Sequence, residues 1–121
     1  MHDTTLASDS DLASVAQMFD LYRQFYKQAP NPELAQAYIG ERMANDESII
    51  LITKDSNGNG LGFCQLYPSF CSVDAVRILV LYDLFVRPEA RGLGTGKKLL
   101  IAAETFAREN NIPRLDLSTA K

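Results

Sequence analysis

Apolar residues recur at helical spacing in three segments of this chain. The first segment follows Ser8-Asp9-Ser10-Asp11, a stretch rich in residues that cap helix N-termini, and it ends before Pro30. Its apolar side is formed by Leu12, Val15, Ala16, Phe19, Tyr22, Phe25 and Tyr26. Pro32 suits the first turn of a second helix over Glu33–Ala44. A third helix is predicted over Gly96–Asn110 and is followed by Pro113.

Short runs rich in apolar and β-branched residues predict five strands. They cover residues 4–7, 48–54, 61–67, 77–86 and 114–118. Asn57-Gly58-Asn59-Gly60 predicts a hairpin turn between the second and third strands. Pro68 lacks a backbone donor, so we expect the third strand to end or bulge there and residues 69–75 to form a loop. The third helix is a crossover connection, so strands four and five should be parallel and the other pairs antiparallel.

Length and charge restrict the kind of protein. With 121 residues, we expect a single domain over residues 1–121. The net charge is −3 and the pI is about 5.0, which argues against a nucleic-acid partner. No apolar run is long enough to cross a membrane, and the N-terminus has no basic region followed by an apolar stretch. We therefore expect a cytoplasmic protein without a membrane partner.

The few cysteines and histidines argue against two other kinds of chemistry. Cys64 and Cys71 are the only cysteines, and His2 is the only histidine. Without a secretory context we expect both thiols to be free. A Cys/His nucleophile and a metal site both need clusters of these residues, so no metal is predicted.

A glycine-rich loop joins the fourth strand to the third helix. It reads Arg91-Gly92-Leu93-Gly94-Thr95-Gly96, and such a loop lets backbone N–H groups converge on an anion at the positive end of the helix dipole. A Walker A loop would need Ser or Thr where Lys98 stands, and a dinucleotide fingerprint would need glycine in place of Lys97. The alternative is an ordinary turn that uses glycine for positive φ.

The spacing Arg91-x-x-Gly94-x-Gly96, after a strand ending Val86-x-Pro88, resembles the pyrophosphate loop of the GNAT N-acetyltransferase superfamily. The strand before the loop, the helix after it, the third and fifth strands and the first helix resemble that superfamily too. The resemblance implies an α/β (α+β) fold with a mixed, mostly antiparallel sheet. Strands four and five would be parallel and splayed, and helices would cover both faces.

The superfamily's domain continues past its fifth strand with another helix and two strands. The resemblance therefore implies a domain that is incomplete at its C-terminus, with its general acid expected beyond Lys121. Strand five would then be an open edge, and open edges pair with other chains. We expect either a homodimer or a missing fragment to cover it.

The resemblance also implies acetyl-CoA as co-substrate, lying across the splay of strands four and five. Its pyrophosphate would bind the loop, with the pantetheine arm along strand four. The implied cofactor-binding residues are Leu84, Phe85, Val86, Arg91, Gly92, Leu93, Gly94, Thr95, Gly96 and Lys97. For Lys97 the alternative is a solvated helix face.

The implied reaction is direct acetyl transfer to a primary amine of a small molecule or a lysine side chain. Such an amine must lose a proton before it attacks, and Asp83 is the candidate base. Tyr82 beside it is a candidate donor or a wall residue. Tyr26, Tyr67 and Phe70 are candidates for the acceptor pocket, with core packing as the alternative. A second hypothesis is a CoA-binding half-domain without turnover.

Overall fold

A computed structural model describes residues 2–118 of the chain. The strands are β1 (Asp3–Leu6), β2 (Ile49–Lys54), β3 (Gly60–Cys71), β4 (Val76–Val86) and β5 (Leu115–Leu117). The helices are α1 (Leu12–Phe25), α2 (Pro32–Ala44) and α3 (Thr95–Glu109). The order of elements is the predicted one, and most elements lie close to their predicted bounds.

Local hydrogen bonds explain where the first two helices begin. Asp11 closes the turn before α1 by accepting the Ser8 N–H at 2.9 Å. Asn31 caps α2 by accepting the Leu34 N–H at 3.1 Å, with Pro32 at the first helical position. Asp20 on α1 accepts the Asn31 N–H at 2.9 Å, which ties the end of α1 to the start of α2.

The five strands form one sheet in the order β1-β2-β3-β4-β5. The first four are antiparallel to their neighbours, and β4 and β5 are parallel, as predicted. The parallel pairing is short, since it joins only Leu79–Leu81 to Leu115–Leu117. β5 is one of the two edge strands of this sheet, and Leu117 on it is 61% exposed. A homodimer covering this edge stays a prediction.

Each face of the sheet carries its own core, which confirms helices on both faces. α1 and α2 cover one face with Val15, Met18, Phe19, Ala35 and Ile39, packed on Ile50, Ile52, Phe63 and Phe85. α3 covers the other face with Leu99, Ala103 and Ala107, packed on Leu51, Cys64, Leu66, Leu79 and Leu81. The alternation of neighbouring residues between the two cores follows the period of two of a β-strand.

The predicted end of the third strand at Pro68 is wrong, as is the predicted loop over residues 69–75. β3 continues through Pro68 to Cys71, and Pro68 pairs with Leu79. The Leu79 N–H donates to the Arg114 carbonyl on the β5 side, so this pair exchanges no backbone bond across β3 and β4. The missing N–H of Pro68 therefore faces the side where β2 has already ended, and the strand loses no hydrogen bond there.

Replacing Gly62 with alanine should destabilise the fold. A Cβ there would lie 2.7 Å from the Phe85 carbonyl oxygen and 3.2 Å from Thr95 Cγ2, where β3, β4 and α3 meet. Overpacking against backbone costs about 1–3 kcal/mol, which urea unfolding would measure as a lower midpoint. Gly40→Ala in α2 is the matched control, because its Cβ would meet nothing closer than 3.6 Å. That control should gain about 0.5–1 kcal/mol. Equal stability of Gly62→Ala and wild type would contradict the close approach.

Candidate active site

The glycine-rich loop takes a conformation that needs glycine at two positions. Gly92 and Gly94 have φ of 84° and 80°, in the left-handed region, and Gly94 caps the N-terminus of α3. Gly96 lies within the helix, and a Cβ there would be 3.8 Å from the nearest atom, a methyl carbon of Val86. Packing therefore leaves room for a side chain at residue 96. Because glycine has no side chain, the backbone at the start of α3 stays uncovered at this position.

The N-terminus of α3 presents a group of free backbone donors. The first helical bond runs from the Lys98 N–H to the Gly94 carbonyl at 3.0 Å. The N–H groups of Thr95, Gly96 and Lys97 have no backbone acceptor within residues 2–118. The Thr95 side chain is buried with its methyl group over Gly62, so its contribution here is limited to main chain. Together with the helix dipole, these donors suit a phosphate group.

The other predicted loop residues border this helix end. Arg91 donates from Nε to the Val86 carbonyl at 3.1 Å, which holds its guanidinium at the end of β4. Leu93 and Lys97 are exposed on the surface beside the loop. The loop thus brings one fixed cation and several main-chain donors to the end of β4.

The last part of β4 has an open edge where β5 has ended. The Arg87 N–H donates to the Leu61 carbonyl of β3 at 2.8 Å. By alternation, the main chain of Phe85 also faces β3, whereas that of Leu84 and Val86 faces away from it. Of the three predicted strand residues, two therefore offer backbone groups to the open side. Phe85 contributes a buried side chain instead.

Two neighbouring cavities of about 310 and 340 Å³ lie along this open edge. Both are lined by Tyr22, Tyr26 and Leu84. The first is completed by Leu81, Tyr82, Leu100, Leu117 and Ser118, and the second by Phe25, Phe85, Val86 and Arg91. We refer to the two together as the β4 cleft. It reaches from the end of the parallel pairing to the glycine-rich loop.

A β-bulge at Tyr82 lies where β4 separates from β5. Gln65 of β3 pairs with Asp83, but the next residue, Leu66, pairs with Leu81, so Tyr82 has no partner across the ladder. Before the bulge, Leu79 and Leu81 face α3; after it, Phe85 faces α1 and α2. The bulge thus reverses the alternation and turns Asp83 toward the face covered by α1.

Asp83 is a buried carboxylate with one firm hydrogen-bond donor. It is 8% exposed, and its Oδ2 accepts from Gln65 Nε2 at 2.8 Å. Gln65 is itself fully buried, and its Oε1 accepts from the Ser48 hydroxyl at 2.7 Å. Burial raises the pKa of Asp83 above its usual value of 3.8, while the Gln65 amide and the Tyr22 hydroxyl lower it. A raised carboxyl pKa suits a group that must accept a proton near neutral pH.

The five tyrosines of the chain gather around this carboxylate and the β4 cleft. The rings of Tyr22 and Tyr26 lie 5.2 Å apart, and those of Tyr67 and Tyr82 lie 5.6 Å apart. The hydroxyl groups of Tyr38 and Tyr67 are hydrogen-bonded at 2.7 Å. The sequence pattern placed Tyr22 on the apolar side of the first helix and gave no role to Tyr38 or Gln65, because their grouping depends on contacts between α1, α2 and β3.

The predicted pocket residues separate into two groups. Tyr26 and Tyr82 line the β4 cleft, and Tyr67 lies against Tyr82 with its hydroxyl group engaged by Tyr38. Phe70 is 73% exposed near the tip of the β3–β4 hairpin and lines neither cavity of the cleft. Tyr67 and Phe70 therefore lie on a continuous strand rather than beside the expected turn.

A larger hollow of about 760 Å³ lies between α1 and the β2–β3 turn, away from the predicted residues. Its polar groups are engaged with one another. Arg87 donates to Gln17 Oε1 and to the Gly60 carbonyl, and Asp55 accepts the N–H groups of Asn57 and Asn59. The β4 cleft has free main-chain donors at one end, and Asp83 is buried between two of its lining residues, Tyr82 and Leu84, so it is the better candidate for chemistry.

The part of the chain that the structure describes lacks two other kinds of feature, a metal-binding cluster and a membrane-spanning helix. Residues 2–118 contain no group of three or more His, Cys, Asp or Glu side chains that could hold a metal ion. Among these residues no helix is both long and apolar enough to span a bilayer. Cys64 is buried and Cys71 is partly exposed, and both are free thiols.

Comparison with known protein sequences gives matches along nearly the whole chain. The sequence profile of the acetyltransferase (GNAT) family matches residues 15–121. A protein described as an uncharacterized N-acetyltransferase, YhfO, from Bacillus subtilis (strain 168) is 47% identical over 113 residues, which are 93% of this chain and 75% of that protein. A probable acetyltransferase from Haemophilus influenzae is 35% identical over 98 residues, which are 81% of this chain and 67% of that protein.

Solved structures share the same architecture. The crystal structure of a probable acetyltransferase superposes with a TM-score of 0.91 at 34% identity and covers 98% of this chain and 79% of its own. A ribosomal-protein-alanine N-acetyltransferase from Brucella melitensis superposes with a TM-score of 0.87 at 22% identity, covering 100% of this chain and 82% of its own, and supports the fold alone. The splayed strands, the glycine-rich loop and these matches lead to one conclusion: the chain belongs to the GNAT family of acetyltransferases.

Proposed function

We propose that this protein transfers the acetyl group of acetyl-CoA directly to a primary amine of a small molecule or of a lysine side chain. The observation that carries the proposal is the continuity of two sets of backbone groups. The open edge of β4 at Leu84 and Val86 leads directly to the free N–H groups of Thr95, Gly96 and Lys97. Membership of the acetyltransferase family supports the reaction class.

The residues present fit a CoA-type molecule along the β4 cleft. The N-terminus of α3 would bind the pyrophosphate, and the lack of a side chain at Gly96 lets the phosphates approach the main chain. The main chain of Leu84 and Val86 would pair with the amide groups of the pantetheine arm as a neighbouring strand does. Arg91 beside the second cavity, and Lys97 on the helix surface, would supply positive charge nearby.

The proposed chemistry divides into activation of the thioester and deprotonation of the amine. Acetyl-CoA supplies an activated acyl group with a thiol of pKa about 8.5 as leaving group. A β4 N–H directed at the carbonyl oxygen would stabilise the developing negative charge by about 3 kcal/mol. An alkylamine with a pKa of about 10.4 is protonated at neutral pH, so it needs the base that Asp83 provides.

The state of the two cysteines bears on the cellular compartment of the reaction. Both cysteines are free thiols, as expected of a protein in a reducing environment. We therefore place the reaction in the cytoplasm.

Acetyl-CoA should stabilise the folded chain, and a charge at residue 96 should prevent this. A ligand that binds only the folded state contributes about 2.7 kcal/mol at a hundredfold excess over Kd, which a thermal-shift titration detects, and AMP should give no comparable shift. Gly96→Asp places a carboxylate where the pyrophosphate would bind, while an acidic residue there favours the N-terminus of α3 itself. We expect this variant to fold and to lose the acetyl-CoA shift.

Gly96→Asn is the matched control for that experiment, because it adds a side chain of the same size without the charge. It should keep a measurable shift. Equal thermal shifts in the wild type and Gly96→Asp would mean that the pyrophosphate binds somewhere other than the N-terminus of α3. No shift in the wild type at millimolar acetyl-CoA would overturn the proposed function.

Asp83→Asn should abolish base catalysis and at the same time stabilise the protein at neutral pH. The folded-state pKa of Asp83 is raised by burial, so its contribution to stability is complete below the unfolded pKa and is lost as the pH rises through the folded pKa. Asparagine keeps an oxygen acceptor for Gln65 and carries no charge. The free energy of unfolding of the variant should therefore exceed that of the wild type. This difference should grow from pH 3 to 7 by an amount set by the rise in the pKa of Asp83 on folding. A constant difference across this range would contradict the burial of a charged Asp83.

A further inference from the structure

The proposed base does not itself reach the β4 cleft. Asp83 is 8% exposed and lines neither cavity, although its chain neighbours Tyr82 and Leu84 do. Tyr22 on α1 lines both cavities, and the bulge turns Asp83 toward the face of the sheet that α1 covers. The Tyr22 hydroxyl group also lowers the pKa of Asp83. Of these two groups, only Tyr22 is within reach of a substrate in the cleft.

The ring of Tyr22 is held in place by other aromatic side chains. Its centroid lies 6.2 Å from Phe63 in an edge-to-face arrangement, 6.2 Å from Phe19 in a stacked one and 5.2 Å from Tyr26. Such contacts fix both the ring plane and the direction of the hydroxyl group. Removing the hydroxyl oxygen alone would leave this packing in place.

A second set of contacts holds Asp83 in one orientation. Ser48 donates to Gln65 Oε1, and this fixes the Gln65 amide so that its Nε2 donates to Asp83 Oδ2. With Oδ2 engaged in this way, Oδ1 remains to accept a proton from another donor. Gln65 is thus a positioning residue, and the order Ser48–Gln65–Asp83–Tyr22 runs from the residue before β2 to the cleft.

We propose that Tyr22 is a catalytic residue that relays the proton of the acceptor amine to Asp83. The inference rests on the proposed function and adds a residue to it. It also explains why the base is buried: a carboxylate out of contact with water keeps its proton affinity, and the phenol provides the path to it.

The relay conserves atoms and charge. The ammonium group of the acceptor loses a proton to Tyr22 Oη, while the Tyr22 O–H proton moves to Asp83 Oδ1, leaving a neutral amine and a neutral carboxyl group. The amine lone pair then forms the C–N bond to the thioester carbon, and the C–S bond breaks with its electron pair on sulfur. The second proton lost from nitrogen neutralises the CoA thiolate, and Asp83 returns its proton to solvent.

Three titratable groups near Asp83 come from two elements. Tyr22 lies on α1, and Cys64 and Tyr67 lie on β3. Burial is the first cause that raises the pKa of each of them, to about 12 for Cys64, and the charge of Asp83 adds to the rise. No Lys or Arg within residues 2–118 forms an ion pair with Asp83. The pKa of this carboxyl group is therefore set by burial and by the neighbouring Gln65 and Tyr22.

The first test measures contact without turnover. The pKa of Asp83 is followed by carbon-13 NMR of its carboxyl group in the wild type, Tyr22→Phe and Tyr38→Phe. Loss of the Tyr22 hydroxyl should raise the pKa of Asp83, because that hydroxyl lowers it. Tyr38→Phe, which loses a hydroxyl group bonded to Tyr67 instead, should leave it unchanged. An unchanged pKa in Tyr22→Phe would overturn the relay.

The second test measures CoA release with two amine probes that differ in proton affinity. Benzylamine is an ammonium ion at neutral pH and needs the relay; trifluoroethylamine is already neutral there. Tyr22→Phe should slow acetylation of benzylamine about a hundredfold, the usual contribution of general base catalysis, and that of trifluoroethylamine far less. Equal losses with both amines would assign Tyr22 a packing role, and a wild type that acetylates neither would also contradict the relay.

A double variant tests whether the two residues act as one unit. If Tyr22 serves only through Asp83, the combination of Tyr22→Phe and Asp83→Asn should be no slower with benzylamine than the slower single variant. Additive losses would mean independent roles and would reject the relay. The acetyl-CoA thermal shift distinguishes failure of the relay from failure of the proposed function. If the wild type shows the shift but the tests of Tyr22 fail, only the relay is rejected. If the wild type shows no shift, both the relay and the proposed function are rejected.

Discussion

The separation of β4 from β5 after only three paired residues is the constraint on which the rest of the site depends. Backbone N–H and C=O groups that lose their strand partner must find another, because a buried unpaired group costs as much as a lost hydrogen bond. The backbone N–H and C=O groups of Leu84 and Val86 must therefore bond to water or to a ligand that pairs with β4 as a strand would. The same separation opens the cavities between Tyr22 on one face and Leu100 on the other.

The bulge at Tyr82 connects this opening to the face of the sheet that α1 covers. One extra residue in β4 reverses which side chains face α1 and α2, and so brings Asp83 onto the face of Tyr22 and Gln65. Without it, residue 83 would continue the alternation of Leu79 and Leu81 and point into the core under α3. The bulge therefore shapes the cleft and orients Asp83, and it makes the position of Asp83 depend on the register of β3.

The sequence predicted most of the fold because its signals are local. Helix starts at Asp11 and Asn31, the turn at Gly58 and the glycine pattern of the loop each act within a few residues, and each is found where predicted. Pro68 misled because its effect depends on which side its missing donor faces, and that depends on where β2 ends.

The site was less predictable than the fold, because it depends on contacts between segments that are far apart in the sequence. Asp83 and the loop stand in the sequence as candidates, but the groups around Asp83 come from distant segments: Gln65 on β3, Ser48 just before β2 and Tyr22 on α1. A bulge is equally hard to foresee, because the register shift at Tyr82 is a relation between two strands. Phe70 shows the opposite case, since its aromatic side chain suggested a pocket and the hairpin carries it away from the cleft.

If the proposed function is right, one ligand bridges the open edge of β4 and the N-terminus of α3. Backbone amide NMR of the chain titrated with acetyl-CoA would show this bridging. We expect the largest shifts at the amides of Leu84, Val86, Gly96 and Lys97. Shifts confined to the hollow around Asp55 and Arg87, with the β4 and α3 amides unmoved, would contradict it.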